Sequence, residues 1–308
     1  MADLSVNVGP LTWPTPISLA SGTCGYGEEL DGLIDWSSVG AIFTKGLSLK
    51  PRLGHLPPRI WETQSGMMNA IGLENVGVDA FEEHKMPFLR RYREMHGGKV
   101  IANLYATSME EYVELTERID AIEGVDGVEV NLSCPNVKAG GIVFGQTAQG
   151  CASITAAVRK VTQKFVAVKL SPASPVTEIG KAAEGEGADA LSVINTMPAL
   201  AIDIEKRVPR LSRGSGGLSG PSLRPIAVKM VHDVSQAVNI PVIGIGGVGT
   251  AEDTVEFLLA GASAVQIGTA LFSEPNAAGL SRDGLAGYLE RHQESSVQDI
   301  IGALSMPA

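Results

Sequence analysis

The chain has 308 residues, 44% of them hydrophobic, which is enough apolar material to fill one large α/β barrel. Its 24 Lys and Arg against 34 Asp and Glu give a formal net charge of −10, which disfavours nucleic acid or an anionic membrane as a partner. No apolar stretch reaches the roughly 18 residues of a membrane span and residues 1–10 show no signal peptide; three scattered cysteines, too few for a disulfide scaffold, make a reducing cytosol the expected compartment.

In chain order, Leu4–Trp13 reads as a hairpin that could plug the bottom of a barrel. Apolar runs at Ile17–Ala20 and Ala41–Thr44 follow, then a long Pro- and Gly-rich segment, Gly46–Asn75. The amphipathic stretch Val78–Met95 leads to a run at Val100–Leu104, and Ser108–Ile122 leads to Gly127–Leu132. A glycine-rich loop, Cys134–Gly150, precedes the helical pattern of Ala152–Gln163. Next come Phe165–Leu170, Val176–Glu186 and Ala190–Ile194, and then a long polar segment, Thr196–Gly220, with Arg207, Arg210 and Arg213. Pro225–Val238, Val242–Ile245, Ala251–Leu259 and Ala264–Ile267 complete the alternation. The runs are almost continuously apolar, as parallel strands covered on both faces are. Eight such runs alternating with helices predict a (β/α)8 TIM barrel, one domain over residues 1–308. The three long segments all follow the C-terminal end of a predicted strand, the face that carries chemistry in such barrels.

Polar residues stand where the apolar runs stop: Ser21, Lys45, Asn103, Asn131, Lys169 and Asn195. One of them alone could merely cap a strand. Six at equivalent places suggest a polar ring for a planar heteroaromatic ligand, because buried amides and ammoniums are costly without partners. Gly244-Ile-Gly246-Gly247 and Gly268-Thr269 end the last two runs. Backbone N–H groups at such turns bind phosphate. Gly244 to Gly249 also fits G-x-G-x-x-G, but no acidic residue ends the next strand, so a dinucleotide site is rejected. The five histidines are dispersed, and no metal site is expected.

Three cysteines with no C-x-x-C pair cannot hold a four-cysteine iron–sulfur cluster. Cys134, in Asn131-Leu-Ser-Cys134-Pro-Asn136, opens the glycine-rich loop directly after a strand. Its thiolate could act as a base if Lys45 or Lys169 lowered its pKa. Cys24 and Cys151 read as small buried hydrophobes.

These stretches, with Asn69-Ala-Ile-Gly-Leu73, Asn195-Thr196 and Gly217-Leu-Ser-Gly-Pro221 in the same order, resemble class 1 dihydroorotate dehydrogenases over almost the whole chain, and specifically the class 1B catalytic subunit. The resemblance implies FMN held by Ser21, Lys45, Gly46, Asn103, Asn131, Lys169 and Ile194. Its phosphate would meet Gly220, Gly246, Gly247, Gly268 and Thr269. Dihydroorotate would touch Lys45, Asn69, Ala70, Ile71, Gly72, Leu73, Asn131, Asn195 and Thr196. Cys134 would remove the C5 proton while hydride passes from C6 to the flavin, under a closing Cys134–Gly150 loop. Electrons would pass to NAD through a partner subunit carrying FAD and a [2Fe-2S] cluster, in a heterotetramer of two catalytic and two electron-transfer subunits. Gly46–Arg59 and Thr196–Arg213 are candidate partner-binding segments. Three other readings stay open: an FMN dihydropyrimidine dehydrogenase acting on uracil-type substrates, a Schiff-base lyase using Lys169, and a non-catalytic ligand-binding barrel.

Overall fold

The computed structural model of the protein describes residues 2–132, 138–139, 142–143 and 147–307. Eight parallel strands form the centre: β1 (Ile17–Leu19), β2 (Ala41–Phe43), β3 (Lys99–Leu104), β4 (Gly127–Asn131), β5 (Phe165–Leu170), β6 (Ala190–Val193), β7 (Val242–Ile245) and β8 (Ala264–Ile267). They pair in chain order and close into a barrel where β8 meets β1. Each lies within a predicted apolar run or overlaps it almost completely.

Because side chains alternate along a strand, each strand feeds two layers. In β5, Val166, Val168 and Leu170 pack outward under the helices, while Phe165 and Ala167 fill the barrel. The same parity turns Ile101 of β3, Ala190 of β6 and Ala264 of β8 into the barrel. The predicted plug is present. The hairpin Val6–Val8 with Leu11–Trp13 buries Val6, Val8 and Trp13 against this inner layer. The Trp13 ring meets Phe43 edge-on, with ring centroids 6.0 Å apart.

Continuing the parity upward puts polar residues on the inner face: Ser18, Asn103, Glu129, Ser192 and Gln266, all buried. Above them come Asn131 and Lys169. The barrel therefore changes from an apolar floor to a polar layer just below its mouth. Barrels are ordinarily filled with branched apolar side chains throughout.

Among the described residues, seven α-helices of nine residues or more cover the outside: α1 (Met86–His96), α2 (Met109–Asp120), α3 (Ala148–Val161), α4 (Val176–Gly185), α5 (Arg224–Ser235), α6 (Ala251–Leu259) and α7 (Ala277–His292). Two short 3-10 turns, Glu28–Leu30 and Trp36–Ser38, replace a helix between β1 and β2. Helix α7 closes that gap through Arg282, 2.9 Å from Asp35. No apolar stripe announces α7 in the sequence, since its buried face includes Ala277, Ala278, Gly279 and Ser281. Helix α3 starts earlier than expected. The Thr147 side chain accepts the Gly150 N–H, so Gly150 sits in the first helical turn and not in the loop.

Two of the three predicted loops are corrected. Gly66–Asn69 and Ile60–Thr63 come from one, and Met197–Ala199 and Gly216–Ser219 from the other. Together they build a four-stranded antiparallel sheet, in the order Met197–Ala199, Gly216–Ser219, Gly66–Asn69, Ile60–Thr63. Gly217 pairs with Asn69 across this sheet. Among the described residues, no helix is long and apolar enough to cross a membrane, and no cluster of His, Cys, Asp or Glu could hold a metal ion.

Candidate active site at the barrel mouth

A cavity of about 590 Å³ opens at the C-terminal ends of the strands, within the range of small-molecule sites. Ser21, Lys45, Gly46, Asn103, Asn131, Lys169, Ile194, Asn195 and Thr196 line it from the strand ends. Asn69, Ala70, Ile71, Gly72 and Leu73 line it from the antiparallel sheet and the turn beyond. Gly220, Gly246, Gly247, Gly268 and Thr269 close the third side. Every site residue proposed from the sequence thus meets in one cavity, except Cys134, which lies outside the described residues, as does most of its loop.

The floor is a buried polar network. Lys169, only 5% exposed, lies with its Nζ 3.6 Å from a carboxylate oxygen of the wholly buried Glu129. Asn103 Nδ2 donates to Glu129 Oε2 at 2.5 Å, and Gln266 Nε2 donates to Glu129 Oε1 at 3.1 Å. This leaves Asn103 Oδ1 and Gln266 Oε1 buried with no hydrogen-bond partner. Such orphans are rare in native proteins and call for an explanation. A ligand ring bearing N–H groups provides one.

The second side of the cavity is held from several elements. Asn195 Nδ2 donates to Asn131 Oδ1 at 3.3 Å, and the Asn195 carbonyl oxygen of its own amide accepts the Thr196 N–H at 2.8 Å. The Asn131 backbone oxygen accepts the Tyr112 hydroxyl at 2.8 Å. His55 is within 3.0 Å of the Ala70 oxygen and also donates its own N–H to the Ile71 oxygen, fixing the Asn69–Leu73 segment. Glu74 accepts from Arg59 at 2.6 Å and lies 3.9 Å from Lys45 Nζ. Asn69 Nδ2 reaches the Gly217 oxygen at 3.5 Å.

The third side is a backbone cradle. Gly247 has φ +80°, and a Cβ there would stand 2.8 Å from the Gly220 oxygen and from Arg224 Cβ. Gly246 has φ +130°, and its Cβ would come 2.7 Å from Ala227 Cβ. Glycine is required at both positions by conformation and by space. The turn is braced at its far end. Asp253 accepts N–H groups from Gly249 and Thr250, each at 3.0 Å, and pairs with Arg224. Thr269 Oγ1 donates to Ser219 Oγ at 2.8 Å, joining β8's turn to the antiparallel sheet.

Sequence reasoning missed Glu129, Gln266, Arg59 and Glu74. The first two are single polar residues inside apolar runs, where alternation would equally well face them to solvent. The other cysteines are inert by environment. Cys24 and Cys151 are fully buried, and burial pushes both thiols up to about 12.

Comparisons with known proteins agree in kind. The family model described as dihydroorotate dehydrogenase matches residues 3–289. A protein of Geotalea uraniireducens named dihydroorotate dehydrogenase B (NAD(+)), catalytic subunit, is 51% identical over 303 residues, 98% of each chain. Proteins of the same name from Trichlorobacter lovleyi and Phocaeicola vulgatus are 52% and 48% identical, covering 98% and 99% of this chain and 98% and 100% of their own. Among solved structures, the dihydroorotate dehydrogenase of Eimeria tenella in complex with ferulenol superposes with a TM-score of 0.82 at 25% identity, covering 98% of this chain and 88% of that one. With a family match over most of its length and relatives near half identity, the chain belongs to the dihydroorotate dehydrogenase family.

Proposed function

We propose that this chain is the catalytic subunit of an NAD-linked dihydroorotate dehydrogenase, oxidising dihydroorotate to orotate in pyrimidine biosynthesis on an FMN held at the barrel mouth, as one FMN-binding domain over residues 1–308. The observation that carries the reading is the convergence of three features in one cavity: the glycine cradle, the lysine-bearing polar floor and the two orphaned amide oxygens. The cradle suits a phosphate, and the floor suits a heteroaromatic ring. FMN fits both.

Gly220, Gly246, Gly247, Gly268 and Thr269 would hold the phosphate through backbone N–H groups. Ser21, Lys45, Gly46, Asn103, Asn131, Lys169 and Ile194 would hold the rest of the cofactor. When bound, FMN supplies the two-electron acceptor, which no side chain can replace. Lys169 offers positive charge from below, where negative charge develops on reduction. Lys45 would seat the substrate carboxylate as a point charge. The amides of Asn69, Asn131 and Asn195, the segment Ala70, Ile71, Gly72 and Leu73, and Thr196 would fix the dihydropyrimidine ring for reaction. Cys134 would take the C5 proton as general base.

The curated relatives are named as catalytic subunits, which supports a second subunit. We assign to it the FAD and [2Fe-2S] cluster that would carry electrons to NAD, in a heterotetramer of two and two in the cytosol. Leu53, Leu56, Ile202 and Ile204 stand exposed on the two segments suggested for docking. The reading as a uracil-type dihydropyrimidine dehydrogenase is less well supported, because that substrate gives Lys45 no carboxylate.

The test is single-turnover kinetics of Cys134→Ala. It keeps its FMN and slows reduction by dihydroorotate by about 10²–10⁴, the usual worth of a positioned base. An unchanged rate would remove Cys134 from the mechanism.

A further inference from the structure

Glu129 takes no part in the chemistry proposed above, yet it is the most deeply placed charge at the site. It points into the barrel from β4 and is wholly buried. Its two oxygens gather groups from three other strands: Asn103 from β3, Lys169 from β5 and Gln266 from β8. Gln266 Nε2 also reaches Ser192 Oγ on β6 at 3.3 Å.

Two consequences follow from this geometry. First, the carboxylate consumes donors of both amides. The amides are thereby turned so that their oxygens, Asn103 Oδ1 and Gln266 Oε1, are the unpartnered atoms. Asn103, Gln266 and Lys169 all line the cavity, and with the amide N–H groups engaged by Glu129, the unpaired capacity left to the two amides is that of acceptors. Second, the charge that Lys169 presents to the cavity is opposed from beneath by a carboxylate 3.6 Å away. In a site shielded from water, a charge at that depth acts on any ring above it far more strongly than it would in solvent.

We propose that Glu129 is a positioning residue: by countering Lys169 and locking the Asn103 and Gln266 amides as acceptors, it sets the reduction potential of the flavin. The inference rests on the flavin reading above. Reduction adds negative charge to the ring. Lys169 favours that charge and Glu129 opposes it, so the pair holds the potential below what the lysine alone would give.

The readout is the midpoint potential of FMN bound to the whole chain, measured by equilibration with a reference dye. Glu129→Gln keeps the size of the side chain and removes its charge; the potential of the bound flavin becomes more positive than in the wild type. Lys169→Gln moves it the other way. A Glu129 that serves only to hold the barrel together leaves the potential of retained flavin unchanged. An unchanged or more negative potential in Glu129→Gln would therefore overturn the inference. Should that variant not fold, the double variant Glu129→Gln/Lys169→Gln leaves no unpaired buried charge. Its potential should lie above that of Lys169→Gln alone, and equal potentials would overturn the inference. A wild-type chain that takes up no FMN would sink the flavin reading itself, and this inference with it.

Discussion

Single residues decide whether this barrel mouth can hold a phosphorylated cofactor. Gly247→Ala would place a methyl group 2.8 Å from the Gly220 oxygen at φ +80°. Strain of this kind costs on the order of 1–3 kcal/mol. Relieving it opens the cradle, so FMN binding, followed by quenching of flavin fluorescence, should weaken about tenfold or more. Retained affinity would mean that the phosphate sits elsewhere. The cysteines offer a second check. With the buried thiols raised to about 12, neither Cys24 nor Cys151 supplies thiolate at neutral pH. Iodoacetamide should label Cys134 alone in the folded protein, and peptide mapping would reveal labelling of either buried thiol. The same scale shows what sequence can and cannot disclose. Ser21, Lys45 and Asn195 are legible because a polar residue directly after an apolar run breaks a pattern. Glu129 and Gln266 lie within their runs, and only barrel closure tells inside from outside.

At the scale of elements, the strands were legible for a physical reason. Parallel strands buried on both faces leave runs such as Phe165–Leu170 with no solvent side to encode. The hairpin was legible too, and it carries real packing. Trp13 is wholly buried against Phe43, so Trp13→Ala should destabilise the fold by about 3–5 kcal/mol, read from a urea melt. A loss well below about 1 kcal/mol would mean that the plug is dispensable. The antiparallel sheet over the cavity was not legible. Its strands are three or four residues long, two of them contain glycine, and their partners are far apart in sequence: Gly217 pairs with Asn69. Nothing local specifies such a pairing. Helix α7 escaped notice because small residues make up most of its buried face beside Leu285 and Leu289, and small residues leave no amphipathic stripe.

Across the whole molecule, the barrel is organised as a gradient. The hairpin and aromatic floor close the bottom, a polar layer centred on Glu129 lies above them, and the cavity opens at the top under the antiparallel sheet. Excess negative charge over the chain coexists with a mouth lined by Lys45 and Lys169, each with a carboxylate within 4 Å, Glu74 and Glu129. The proposed function would have this mouth bring a phosphorylated flavin and a small carboxylate together. The most direct test is to mix the FMN-loaded chain, without any partner, with dihydroorotate under anaerobic conditions and follow the flavin absorbance. The yellow colour should bleach promptly, with one orotate formed per flavin and no comparable bleaching by dihydrouracil. A bound flavin that stays oxidised with dihydroorotate would contradict the account.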